Sequence, residues 1–147
     1  MSRVEVSQRE LAKAFWRHCA VAQTCEGPSS LLLKFYAVEC GLKSRYMMLE
    51  KMYSTQKMVG TEFGTDGHNL SAGARACRIP AHACPSPDKT GQLQMAPSLR
   101  RSNGSEVAAH QAHQAWRYGA DIEDAYNKKY DAWLTGIAEW LKINGDL

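Results

Sequence analysis

Three side chains that can carry charge recur at helical spacing near residue 115. His110 and His113 lie three residues apart and Arg117 follows His113 by four, so one helix would place all three on the same face. An imidazole beside a guanidinium can act as a general acid and base on a phosphodiester. The other interpretation makes both histidines polar surface residues of an alanine-rich helix that Trp116 anchors in the core, and the composition favours it.

Arg117 has two interpretations of its own. It follows a large aromatic residue and precedes a glycine by two residues, in front of an acidic stretch, which suits planar bidentate contact with a ligand. A salt bridge to Glu39, Asp121 or Asp124 would suit it equally. His68, in a turn, can cap backbone amides or contact a ligand phosphate.

Glu39 and Lys43 form a charged pair inside a long amphipathic segment, residues 31–58. The acid precedes the base by four residues, so the two side chains can meet on one helical face. In one interpretation they form a solvated ion pair. In the other, Glu39 faces a neighbouring helix and needs hydrogen-bond donors there.

No arrangement typical of a metal or cofactor site is apparent. Cys77, His82 and Cys84 lie near one another, but their spacing is not a recognised zinc pattern. No glycine-rich phosphate loop or nucleophile elbow occurs. We therefore expect no metal and no cofactor, and the five cysteines, an odd number without framework spacing, are expected to be reduced thiols.

Length and composition predict one domain over residues 1–147. The chain has 147 residues, of which 44% are hydrophobic, enough for one core. It has no run of eighteen apolar residues and no secretory signal at its start, so the expected location is cytoplasmic, without a membrane anchor. The formal charge of +3 permits a nucleic-acid partner without arguing for one.

Periodicity predicts an all-α fold, because no segment alternates like a strand. A Ser7–Glu10 capping box starts the first helix, Ser29 or Ser30 can cap the second, and Asp66 can cap a short third, while Asn144 and Gly145 are a fitting stop for the last. The predicted helices span residues 7–24, 31–58, 66–77, 105–116 and 121–143, with a proline-rich irregular loop at 80–104. We expect an up-and-down bundle of four to five helices in which the long second and last helices pack antiparallel.

Three blocks of sequence then resemble a known family. They are FYAVECGLKSRYM in the second helix, GHNL before the third, and AWRYGADIEDAY leading into the last. In this order they resemble the HEPN superfamily of small helical domains, whose members carry a Glu and a Lys in the second helix, a Gly-His-Asp-Leu turn and an Arg-Tyr turn. The matching positions are Glu39, Lys43, residues 67–70, and Arg117 with Tyr118; Asn69 departs from the usual Asp.

The resemblance implies a homodimer and, in many members, metal-independent RNA cleavage by an Arg-x4-6-His motif at the head of the last helix. No histidine follows Arg117 here. The resemblance therefore implies a non-catalytic module that binds a partner protein, RNA or a nucleotide, in a prokaryotic defence or toxin–antitoxin system. Its binding residues would be His68, Glu39, Lys43 and Tyr118. The alternative is a ribonuclease with a rearranged site at His110, His113 and Arg117, with His68 as a further member.

Overall fold

The protein is helical throughout most of the part that the computed structural model describes, residues 5–52, 68–83 and 95–147. Its helices there are α1 (Gln8–Ala22), α2 (Gly27–Leu49), α3 (Leu70–Ala76), α4 (Ala112–Arg117) and α5 (Asp124–Asn144). Short 3-10 turns occupy Ala81–Ala83 and Ala109–Gln111. The all-α class is confirmed, and the helix lengths suit a bundle.

Helix α1 begins as predicted. The Ser7 hydroxyl accepts a hydrogen bond from the backbone N–H of Glu10, and the Glu10 carboxylate accepts one from the backbone N–H of Ser7. The helix runs antiparallel to α2, because the Ser30 hydroxyl donates to the carbonyl of Ala22 and the Ser44 hydroxyl donates to that of Gln8. The start of each helix therefore lies beside the end of the other.

Helix α2 differs from the prediction at both ends. It begins at Gly27, and Pro28 fits the first turn because that position has no intrahelical N–H bond to lose. Neither Ser29 nor Ser30 caps it, since the preceding Glu26 is the N-cap. The helix ends at Leu49 instead of continuing to residue 58, and Lys51 takes a left-handed φ of 55°. Residues 53–58 of the predicted helix lie outside the described residues.

The long helices α2 and α5 run in the same direction. Near their starts, the Lys34 ammonium lies 2.6 Å from the Asp131 carboxylate. Further along, Gly41 faces Leu141, and the Arg45 guanidinium donates to the carbonyl of Asn144. Contacts thus advance together along both helices, so the prediction that these two helices pack antiparallel is wrong. Two parallel helices need a long connection between them, and here the short helices and the hairpin form part of that connection.

A small hairpin replaces part of the predicted loop and part of the predicted fourth helix. Strand β1 (Leu99–Arg100) pairs antiparallel with β2 (Glu106–Val107). Two residues per strand are too few for alternation to be visible in the sequence. The chain then passes through the 3-10 turn into α4, which is shorter than the predicted helix over 105–116. The middle of the predicted loop, residues 84–94, lies outside the described residues.

The short helix α3 is capped by Asn69, whose side-chain oxygen accepts from the backbone N–H of Ala72. The predicted cap, Asp66, lies outside the described residues. Helix α5 ends against Gly145, as the sequence predicts. At the carboxyl ends of α2, α3 and α5, Arg45 donates to the carbonyls of Cys77 and Asn144 and lies over the Trp140 ring. One guanidinium therefore joins three helices.

The described cysteines, Cys19, Cys25, Cys40 and Cys77, are free thiols. Burial raises the pKa of Cys40 to about 11 and that of Cys77 to about 12, so both stay protonated at neutral pH. Within the described part of the chain, no helix combines the length and apolar composition that crossing a membrane requires.

Candidate functional site

One face of α2 carries Tyr36, Glu39 and Lys43, which are spaced so that each lies about one turn from the next. The Lys43 ammonium lies 3.0 Å from Oε2 of Glu39, so the predicted ion pair forms. The Glu39 side chain is only 13% exposed, which means that the pair is not simply solvated. Its second oxygen is used elsewhere, as the helix-packing interpretation expects.

His68 supplies the second contact of Glu39. His68 lies in the turn that precedes α3, and its Nδ1 is 2.7 Å from Oε1 of the Glu39 carboxylate. Burial alone raises the pKa of Glu39, but the hydrogen bond from His68 and the charge of Lys43 together lower that pKa below its ordinary value. Glu39 is therefore ionised, and because a carboxylate only accepts, the His68 proton sits on Nδ1. The capping role proposed for His68 belongs to its neighbour Asn69.

His113 completes this arrangement from α4. Its ring packs against that of His68, with centroids 4.2 Å apart, and on its other side against Phe35 at 5.1 Å. Only 4% of its surface is exposed. Neither sequence interpretation anticipated this position, because His113 is neither a surface residue nor an accessible acid–base group. We refer to Glu39, Lys43, His68 and His113 as the His68 cluster.

The predicted one-face set of His110, His113 and Arg117 is not formed. His110 lies in the 3-10 turn before α4 and is exposed, while His113 points into the core and Arg117 ends the helix in solvent. The helical spacing fails because α4 begins only at Ala112. Only the His113–Arg117 spacing of four residues falls within one helix.

Arg117 contacts aromatic side chains instead of acids. Its guanidinium donates a hydrogen bond to the Tyr36 hydroxyl, and its Cζ lies 5.7 Å from the Tyr36 ring centre and 6.0 Å from that of Tyr118. None of the predicted salt bridges to Glu39, Asp121 or Asp124 is found among the described residues, where Asp124 pairs with Lys128. We refer to Arg117, Tyr36 and Tyr118 as the Arg117 surface. Both tyrosines contribute aromatic faces, and Tyr118 is 78% exposed.

The two groups of residues are adjacent. Tyr36 of the Arg117 surface and Glu39 of the His68 cluster lie one turn apart on α2, and Arg117 and His113 lie one turn apart on α4. Tyr36 carries no sequence signal that would link it to Arg117, since the two are 81 residues apart. The arrangement places an exposed guanidinium and two aromatic rings next to a half-exposed imidazole.

Among the residues that the structure describes, no three His, Cys, Asp or Glu side chains converge as ligands. The described side chains of the site offer hydrogen bonding and charge from Arg117, stacking faces on the two tyrosines, and an exposed imidazole at His68.

The chain matches no protein-family model, no curated protein and no solved structure. Membership of the HEPN superfamily therefore stays a prediction that depends on the three sequence blocks.

Proposed function

We propose that this protein is a non-catalytic, HEPN-like helical module that binds RNA or a nucleotide at the Arg117 surface. The observation that carries the proposal is the guanidinium of Arg117, which is exposed and oriented by the hydroxyl and ring of Tyr36. A guanidinium forms paired hydrogen bonds with phosphate, and an exposed tyrosine ring offers a base a face to stack on. Among the described residues, Arg117 forms no ion pair that an anion would have to break.

The burial of His113 supports the non-catalytic part of the proposal. A general acid or base must come within hydrogen-bond reach of the reacting group. The His113 ring is enclosed between those of His68 and Phe35, so a strand that contacts Arg117 does not reach it without displacing His68. Together with the absence of a histidine after Arg117, this argues for binding without cleavage.

We expect Arg117→Ala to weaken binding of a fluorescein-labelled, single-stranded RNA tenfold or more, as measured by fluorescence anisotropy. Arg117→Lys keeps the charge but loses the planar pair of donors, so its affinity for the RNA should lie between that of Arg117→Ala and that of the unaltered protein. Arg101→Ala is the matched control, because Arg101 is exposed and its described contacts are made by its backbone. Equal affinity of Arg117→Ala and the unaltered protein would contradict the proposal.

A ribonuclease is the second candidate, and one observation favours it. His68 is 48% exposed, and its Nδ1 lies 2.7 Å from the ionised Glu39 carboxylate, a partner that orients an imidazole for acid–base chemistry. In that case the His68 imidazole would take the proton of a ribose 2′-hydroxyl while Arg117 binds the phosphate. Incubation of labelled RNA with concentrated protein in chelator separates the two candidates. We expect intact RNA; cleavage that disappears in both His68→Ala and Arg117→Ala would replace the binding module with the nuclease.

We also propose that the module is a homodimer that acts with a partner protein from the same locus, as the HEPN resemblance implies. Size-exclusion chromatography with light scattering should then give twice the chain mass of 16.4 kDa. A mass of one chain at high protein concentration would contradict the dimer without bearing on the Arg117 surface.

A further inference from the structure

The outer face of α1 carries a row of basic side chains that the Arg117 surface does not involve. Arg9, Lys13 and Arg17 lie at four-residue intervals and are all exposed. Such spacing aligns them along one side of a helix, with about 6 Å of rise between neighbours. Within the described part of the chain, none of the three forms an ion pair.

This row accounts for much of the protein's charge. Three basic residues and one acid give α1 a formal charge of +2, against +3 for the whole chain. The one acid, Glu10, accepts the backbone N–H of Ser7 in the capping box, and that hydrogen bond lowers its pKa. Its carboxylate is therefore bound at the helix start, next to Lys13 but away from Arg17. A dense basic row along one helix is the electrostatic footprint of a polyanion site.

An aromatic side chain lies beside the row. Trp16 is 43% exposed, one residue before Arg17 and three after Lys13. Its ring packs edge-on against buried Phe15, with centroids 5.4 Å apart, and its indole N–H donates to the carbonyl of Leu147. The ring contact and the hydrogen bond thus hold the indole in place, while part of its surface is exposed to solvent. A partly exposed tryptophan among cations is the combination that holds single strands, in which phosphates meet the cations and a base stacks on the ring.

This face is separate from the Arg117 surface. Helix α1 contacts α2 through Ser30, Gly41 and Ser44. Tyr36 of the Arg117 surface and Glu39 of the His68 cluster lie on α2 as well. Because an α-helix turns by about 100° per residue, they lie roughly on the side of α2 opposite to these contacts. Helix α2 therefore lies between the two surfaces.

We propose that the α1 face, made of Arg9, Lys13, Arg17 and Trp16, is a second binding surface that takes the backbone of single-stranded RNA and stacks one base on Trp16. The spacing of the cations lets each meet a different phosphate of an extended strand. The choice of RNA over other polyanions rests on the proposed function. The surface itself rests on the exposure, charge and spacing of these four side chains.

The test is binding of fluorescein-labelled oligouridine to the full chain at several salt concentrations. The triple variant Arg9→Gln, Lys13→Gln, Arg17→Gln should bind at least tenfold more weakly. The slope of log affinity against log salt should become shallower by about 2, since each phosphate contact on a single strand contributes about 0.7. The matched control replaces Arg75, Arg101 and Lys129 by Gln, which removes the same charge from exposed positions elsewhere. Circular dichroism verifies that both triple variants are folded.

Trp16→Phe isolates the stacking contact. Oligouridine should quench part of the tryptophan fluorescence of the unaltered protein, and that quenching should disappear in Trp16→Phe. Equal affinities and slopes for the triple variant and its control would overturn the inference, as would quenching that persists without Trp16. Equally tight binding of oligoglutamate, or tighter binding of oligodeoxyuridine, would overturn the assignment to RNA.

Repeating the titrations in Arg117→Ala separates this inference from the proposed function. If only Arg117→Ala weakens binding, the Arg117 surface stands and the α1 face is rejected. If only the α1 variant does so, the proposed function fails while the α1 face stands. If both surfaces bind one strand, the α1 substitutions should weaken binding in the Arg117→Ala background as well.

Discussion

Replacing Phe35 with alanine is expected to lower the free energy of unfolding by about 3–5 kcal/mol, the cost of deleting a large buried aromatic ring. Phe35 is fully buried, and its ring packs against those of His113, Trp116 and Tyr130. The loss leaves a cavity where α2, α4 and α5 meet. Because a domain of this size is stable by about 5–15 kcal/mol, the variant should be close to unfolding.

Urea denaturation followed by circular dichroism measures this effect. Ile143→Ala is the control, because Ile143 is also a large apolar residue of a long helix but is 79% exposed. Its replacement should change the free energy of unfolding by less than about 0.5 kcal/mol. A Phe35→Ala variant as stable as Ile143→Ala would show that the ring cluster does not form the centre of the core.

The second large effect is expected at Gly41, where side chains of α1 and α5 pack directly against α2. A Cβ atom added there would lie 2.6 Å from Cδ1 of Phe15 and 2.9 Å from Cδ1 of Leu141. Both distances are shorter than carbon atoms tolerate, so the helices must separate or the side chains must leave their rotamers. We expect Gly41→Val to lower the free energy of unfolding by about 2–3 kcal/mol.

Ala132→Val provides the comparison for Gly41→Val. It introduces the same β-branched side chain at an exposed position of α5, where only helix propensity changes, at a cost below about 1 kcal/mol. Thermal unfolding of the two variants should therefore separate them clearly. If Gly41→Val proved as stable as Ala132→Val, the close contact of α1 and α5 across α2 would be contradicted.

Local signals predicted local structure well. The Ser7–Glu10 capping box and the Gly145 stop each depend on residues within one helical turn, and both are present. The Glu39–Lys43 pair was predictable for the same reason. Where a signal was ambiguous, as with Pro28 inside α2, the helix began earlier than the serines suggested. The two-residue strands were missed because they are shorter than any periodic pattern.

Contacts between distant residues were not predictable. Nothing near His113 in the sequence shows that His68 and Phe35 enclose it, and nothing near Arg117 indicates Tyr36. The direction of α5 relative to α2 depends on the whole path between them. Residue type identified the members of the candidate site except Tyr36. Burial, which gives His110 and His113 different roles, depends on the tertiary fold.

The common direction of α2 and α5 has an electrostatic consequence. Peptide dipoles in an antiparallel pair oppose one another, whereas here partial charges of the same sign meet at each end. Acidic residues, Glu26 and Glu123, occupy the N-cap positions at the positive ends. At the negative ends, Arg45 of α2 donates to the carbonyl of Asn144, the last residue of α5. Acidic and basic side chains at the two ends are thus matched to an aligned pair of macrodipoles, and reversing α5 alone would bring the negative end of its dipole towards Glu26.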